Sequence, residues 1–360
     1  MLQILDAIPD GLLQTPAAQL AQRLGGPTLI HLRGRRNKPI FISVLLHGDE
    51  TTGWSAVRTL LAEYQNQELP RAISLFIGNV DAAAAGVRRL PEQPDYNRIW
   101  RGDDDAPEQR MARTVWEEMR QREAFLCVDI HNNTSRNPHY ACVNRLDAQS
   151  LQLAALFAPR AVYFIRPETA LSLAFSELCP AVTLECGQAG AQAGVDHALA
   201  FLRACLEITR LPTHPPADDQ LTLLHAAARI RVPDEFSLGF GPGCDAQICF
   251  PRHMDEWNFQ ELGAGVELGR VSVGDGAHIL VEDENGASAF HDYLHVHEGR
   301  IVTRIPVIPA MLSVEERAVR LDCLGYLMAR LPLPEADAVA KQAWIPNEES
   351  AGDPAILTSM

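Results

Sequence analysis

Three short apolar runs in the first half of the chain each end on a residue that can bind a metal or carry a proton. Leu45-Leu46 leads into His47-Gly48-Asp49-Glu50, Phe125-Leu126-Cys127-Val128-Asp129-Ile130 ends on His131, and Ala181-Val182-Thr183-Leu184 ends on Glu185. A short apolar run without polar alternation reads as a strand buried on both faces, the pattern of a parallel sheet covered by helices. Open α/β sheets place their sites at the carboxyl ends of such strands. The chain is therefore expected to be α/β, with a mixed, mainly parallel sheet flanked by helices.

The rest of the pattern fits that frame. Strands are expected at 39–46, 73–79, 140–144 and 161–165, and helices at 52–65, 108–122, 167–178 and 194–209. The alternation argues for helices on both faces of the sheet. The segment 80–107, with its prolines and the acidic run Asp103-Asp104-Asp105, reads as a functional loop. Prolines in Leu211-Pro212-Thr213-His214-Pro215-Pro216 break both helix and ladder, which sets a first unit of 1–212. Short apolar runs between glycine turns, at 263–273 and 277–281, suggest a smaller β domain over 213–310. A helical C-terminal tail is expected over 311–360, with an amphipathic helix at 314–331 and a loose end at 351–360.

His47 and Glu50 lie three residues apart on a turn leaving a strand, so one turn of backbone can present both to a zinc ion. His131, from another strand end, supplies a third ligand. Two histidines and a carboxylate with one position open for water is the catalytic rather than the structural zinc pattern, and one zinc ion per chain is expected. Glu185 reads either as a solvated acid at a strand terminus or as a general base beside the metal. The run Asn132-Asn133-Thr134-Ser135-Arg136-Asn137-Pro138-His139-Tyr140 offers amide and hydroxyl groups, either to line a polar pocket or to cap turns.

Taken in order, His47-Gly48-Asp49-Glu50, Gly78-Asn79, Asp95-Tyr96-Asn97-Arg98, Asp129-Ile130-His131-Asn132-Asn133-Thr134 and Glu185-Cys186-Gly187 resemble the succinylglutamate desuccinylase/aspartoacylase family, within the zinc carboxypeptidase (M14-like) superfamily. The resemblance spans roughly residues 40 to 190. It implies a zinc carboxypeptidase-like fold and zinc held by His47, Glu50 and His131. Glu185 would take a proton from the attacking water and return it to the leaving amine. Asn97 and Arg98 match the family's Asn-Arg pair, where a guanidinium can stabilise an oxyanion or hold a carboxylate by two hydrogen bonds. Arg89 lies near the place of a further carboxylate-binding arginine, and Arg88 competes for that assignment. Asn132, Asn133 and Thr134 are further candidates for substrate contact. The stretch 169–176 lacks the basic residue that aspartoacylase-like enzymes carry before the catalytic glutamate. In the family a C-terminal β domain narrows access to the zinc cleft, which disfavours long polypeptides.

A net charge of -15 argues against nucleic acid as a partner, since phosphate contacts need a basic surface. No run is long enough for a membrane-spanning helix, and the first residues lack a basic head followed by an apolar stretch, so a cytoplasmic location is expected. The eight cysteines read as reduced small hydrophobes, and Cys244 and Cys249 lack the second close pair of a metal knuckle. His291, His295 and His297 are expected on one face of a strand as a solvated or pH-responsive group. Self-association is left open, because periodicity marks no dimer interface.

These readings converge on a zinc-dependent hydrolase that cleaves an amide bond in a small N-acyl amino acid or related compound. Two alternatives stay open. One is a metallocarboxypeptidase releasing a C-terminal or γ-linked amino acid from a short peptide, and the other is a non-catalytic zinc-binding protein.

Overall fold

The computed structural model describes residues 2–102, 105–321 and 323–334. Its centre is a twelve-stranded mixed sheet. Strands Leu69–Ile77, Gly34–Val44, Leu126–Asn133 and Ala181–Gln188 lie side by side and parallel. Tyr140–Val143 then pairs antiparallel with Ala181–Gln188, and Arg160–Tyr163 follows parallel to it.

Alternation along these strands sorts the helices into two layers. Ile40, Ile42, Val44, Val128 and Ile130 pack with Trp54, Val57 and Leu60 of helix Thr52–Glu63 and with Leu202 and Cys205 of helix Gln192–Glu207. Phe41, Phe76 and Cys127 point the other way, onto Met111, Val115 and Met119 of helix Pro107–Gln121 and onto Leu171 and Phe175 of helix Leu171–Phe175. Because both faces are covered, the strands carry unbroken apolar runs. The period of two also places Asp129 and His131 on the Cys127 side, facing the second layer.

The sheet continues past the proline-rich segment near residue 212. Strand Thr222–Arg231 joins Arg160–Tyr163 on one side and Gly325–Leu331 on the other. Leu223 packs in the core of the first unit, whereas Ile230 packs with Phe250, Leu268 and Ile301 of a separate five-stranded sheet. One strand thus ties the β-rich part to the rest. Strand Leu280–Asp283 belongs to the large sheet, antiparallel to Thr222–Arg231.

Several expectations need correction. The segment 314–331 is not one helix: Glu316–Leu321 is a short helix and Gly325–Leu331 is a strand, drawn into the sheet by seven backbone partners on Thr222–Arg231. The expected loose end at 351–360 lies outside the described residues, as do Asp103 and Asp104. The segment after residue 80 opens with helix Val80–Ala85 before it becomes a loop. His291 sits on the short helix Phe290–Tyr293, leaving only His295 and His297 on a strand. Finally, Cys244 and Cys249 form a disulfide, while the other six cysteines are buried outside it. The turn through Gly241 and Gly243, both with positive φ, folds the chain back so that the two Cα atoms lie 6.0 Å apart. No helix among the described residues is long and apolar enough to cross a membrane.

Candidate metal centre and active site

The first ligand turn forms where strand Gly34–Val44 ends. Leu45 adopts φ 58°, a left-handed conformation that costs a non-glycine residue roughly 1–2 kcal/mol, and its carbonyl accepts from Asn79 N at 2.6 Å. Gly48 follows against helix Val80–Ala85. A Cβ there would come within 2.2 Å of the Ala82 carbonyl carbon and the Ala83 nitrogen, so only glycine permits this approach. Gly48 N also donates to Arg88 O at 3.0 Å, which draws the arginine-bearing loop onto the ligand turn.

His47, Glu50 and His131 converge and are buried. His47 Nδ1 lies 2.7 Å from Glu50 Oε1, His131 Nδ1 lies 2.8 Å from Glu50 Oε2, and the two Nδ1 atoms are 3.2 Å apart. A tetrahedral zinc with bonds of about 2.0–2.2 Å holds its ligands about 3.3–3.6 Å apart. The donor set therefore fits such an ion with a small outward adjustment, and its two imidazoles and one carboxylate are ligands zinc favours.

Behind each histidine stands a carboxylate. His131 Nε2 contacts Asp129 Oδ2 at 2.8 Å, and His47 Nε2 contacts Asp95 Oδ1 at 3.0 Å. When Nε2 donates to these acceptors, each ring presents the Nδ1 lone pair to a metal. Glu50 is fixed in turn, since Oε2 accepts from Asn132 N at 3.1 Å. Replacing Asp129 with asparagine is expected to lower zinc affinity about 10–100-fold, measurable by competition with a chromophoric chelator.

The electrostatics follow from this crowding. Burial opposes the charged form of Glu50, yet the charges of His47 and His131 hold its carboxyl well below the usual range. Asp95 is likewise pushed up by burial but held low overall by its bond and charge interaction with His47 and by Arg88. For His131 burial works downward, but Asp129 and Glu50 outweigh it and hold the pKa well above its ordinary value. In the metal-free fold that proton contributes stability fully below the unfolded value of about 6.5, and the contribution is lost as pH rises through the raised one. Zinc must displace the proton, so its affinity is expected to fall as pH is lowered, with proton release detectable by titrating in buffers of different ionisation enthalpy.

Glu185 stands directly across from His131 in the parallel pair of strands, and across from Tyr140 on its other side. Among the described residues its buried Oε2 meets no hydrogen-bond partner. Burial, helped by Glu50 and Asp129, pushes its pKa up to about 8 against the pull of His131 and Arg88. A cation in the neighbouring site acts in the opposite direction.

Other expected contacts are distributed differently. Asn132 is engaged inside the protein, with Nδ2 donating to Gly187 O at 2.8 Å and Oδ1 accepting from Thr52 N at 3.4 Å. Thr134 is exposed. Asn97 Oδ1 accepts from Leu171 N at 2.9 Å and so anchors the loop to the start of helix Leu171–Phe175. Arg98 is exposed and donates to Asn97 O, and Arg89 turns to Gln93 O at 2.8 Å. Arg88 takes the place beside the ligands, 3.3 Å from Glu50 Oε1 and 3.0 Å from Asp95 Oδ2. Two positions carried no role in the sequence reading, Asp95 and Asp129. Asp129 had a local signal, because it lies two residues before His131 and shares its strand face. Asp95 had none, since it reaches His47 from 48 residues away.

Residues 37–211 match the model of the succinylglutamate desuccinylase/aspartoacylase catalytic domain. No curated protein matches the chain. Among solved structures, succinylglutamate desuccinylase from Chromobacterium violaceum is 17% identical, with 83% of this chain and 87% of that chain covered and a TM-score of 0.53. A succinylglutamate desuccinylase/aspartoacylase from Rhodobacter sphaeroides is 17% identical, with 84% and 88% covered and a TM-score of 0.58. The Vibrio parahaemolyticus desuccinylase is 16% identical, with 82% and 83% covered and a TM-score of 0.52. At these identities the structural likeness speaks for the fold, and the match over the strands that carry His47, His131 and Glu185 speaks for descent. Residues 37–211 thus belong to the succinylglutamate desuccinylase/aspartoacylase family, whose catalytic domain they match.

Proposed function

We propose that this protein hydrolyses an amide bond in a small N-acyl amino acid, with one zinc ion held by His47, Glu50 and His131. Family membership supports a hydrolase of N-acyl amino acids. The observation that carries the reading is Glu185, set across from His131 with a buried carboxylate oxygen that has no hydrogen-bond partner among the described residues.

A zinc ion in this set would supply Lewis-acid polarisation of the scissile carbonyl and a lowered pKa for the attacking water. Glu185 accepts the proton that the attacking water loses and delivers it to the leaving amine nitrogen. Arg88, already beside Glu50 and Asp95, stabilises negative charge growing on the carbonyl oxygen. Among the described residues Arg89 and Arg98 bond backbone carbonyls rather than acids. Their charge is free to hold a substrate carboxylate, a task that favours a guanidinium over an ammonium group.

The test is release of free amine by zinc-loaded protein, with a chelator-treated control, from N-acyl amino acids and from α- and γ-linked dipeptides. Chelator-sensitive release from the N-acyl compounds is expected. Release from dipeptides alone would replace this reading with a carboxypeptidase, and bound zinc without release from either panel would favour a binding protein.

A further inference from the structure

The metal ligands form a row with two chemically different sides. On the His47 side lies the arginine loop, where Arg88 bonds the Glu50 oxygen that faces His47 and also bonds Asp95. On the His131 side lie Asn133, two residues further along the same strand, and Glu185 and Tyr140 on the next two strands. Among the described residues no guanidinium is bonded to Glu185, Asn133 or Tyr140. Arg136 is engaged with Glu256 at 2.9 Å and Asp255 at 3.8 Å, and Arg145 with Asp147 at 3.6 Å. Helix Leu171–Phe175, which reaches this side through the 2.9 Å bond between Ser172 and Thr183, carries no basic residue.

What this side does offer is a neutral donor. Asn133 Nδ2 is buried and has no hydrogen-bond partner among the described residues. Its Oδ1 accepts from the Tyr140 hydroxyl at 3.2 Å. Tyr140 is fully buried, with its ring 4.7 Å from that of Phe259 in the β-rich part, so its hydroxyl has little freedom and orients the amide. A substrate carboxylate placed here would be buried near Glu185, Glu50 and Asp129 without a cation of its own, an arrangement strongly disfavoured by desolvation and like charge. An uncharged acceptor would satisfy the waiting N–H group at no such cost.

We infer that the site takes a substrate with a carboxylate at one end only, its uncharged polar end accepting a hydrogen bond from Asn133 Nδ2, with Tyr140 as the positioning residue for that amide. This rests on the hydrolase reading above and narrows its substrate class.

The test uses a matched pair, N-succinamoyl-L-alanine, whose acyl end is an uncharged carboxamide, and N-succinyl-L-alanine, whose acyl end is a carboxylate. Binding is measured by calorimetry to the zinc-loaded Glu185→Gln protein, and turnover separately with the unsubstituted enzyme. N-succinamoyl-L-alanine is expected to bind at least about tenfold more tightly, and adding Asn133→Ala is expected to remove most of that advantage. In the active enzyme, Tyr140→Phe is expected to raise KM for N-succinamoyl-L-alanine about threefold or more with kcat and zinc content unchanged, as weaker uniform binding requires. Equal or tighter binding of N-succinyl-L-alanine would overturn the inference. So would a preference that persists unchanged in Asn133→Ala protein of parental Tm, or an absence of binding by both compounds. Selective binding without turnover would sink the hydrolase reading and leave the selectivity standing.

Discussion

Glu185→Gln protein is expected to lose about 10²–10⁴-fold in kcat/KM while keeping the zinc content of the parent, because a positioned acid–base group contributes on that order. Glutamine preserves the shape of the side chain but cannot take a proton from water. The site is well suited to show this cleanly. Glu185 is not among the three converging donors, and its Oε2 makes no hydrogen bond within the described residues, so the substitution breaks no bond made by that oxygen. Zinc measured by atomic absorption, alongside initial rates on the best N-acyl substrate, checks both halves. Full activity in this variant would remove Glu185 as the base.

The second large effect is expected at Glu50. Its two oxygens reach His47 Nδ1 and His131 Nδ1, and it also accepts from Asn132 N and from Arg88. Glu50→Gln removes the negative charge at the middle of the donor set, so zinc affinity is expected to fall by more than the roughly 100-fold upper range of an outer-shell partner, and turnover with it. The same change is expected to destabilise the metal-free fold in a pH-dependent way. The folded-state pKa of Glu50 lies below its ordinary value, so the carboxylate contributes stability above the unfolded pKa and loses it as pH falls through the folded one. The Tm difference between parent and variant in chelator should therefore be largest near neutrality and shrink in acid. Retained zinc affinity in Glu50→Gln would exclude it as a ligand.

The candidate metal centre was legible in the sequence to the extent that its members sit at strand ends. His47, His131 and Glu185 follow apolar runs, and a run of that kind announces both the strand and the edge of the sheet where its next residue will stand. Glu50 was legible because a three-residue step closes within one turn. The reading was poorest where a contact depends on loops. Arg88 and Arg89 are adjacent, with the same side chain, and only the packing of Gly48 on helix Val80–Ala85 and its bond to Arg88 O decide which of them faces the ligands. Asn132 looked like a substrate contact and is instead held by Gly187 and Thr52. The strand Gly325–Leu331 looked helical because its composition is compatible with both periods, and pairing along Thr222–Arg231 outweighs local preference.

By itself the sequence determined the α/β layering, the central apolar strands and the candidate ligands His47, Glu50 and His131 with Glu185 beside them. These depend on local periodicity and on short spacings, which a chain carries with it before it folds. Only the tertiary structure decided that Asp95 and Asp129 back the histidines, that Arg88 stands beside Glu50, and that Asn133 keeps a buried donor with no partner among the described residues. Those features arise from segments distant in the chain meeting in a low-dielectric interior, where each polar group must find a partner or wait for one.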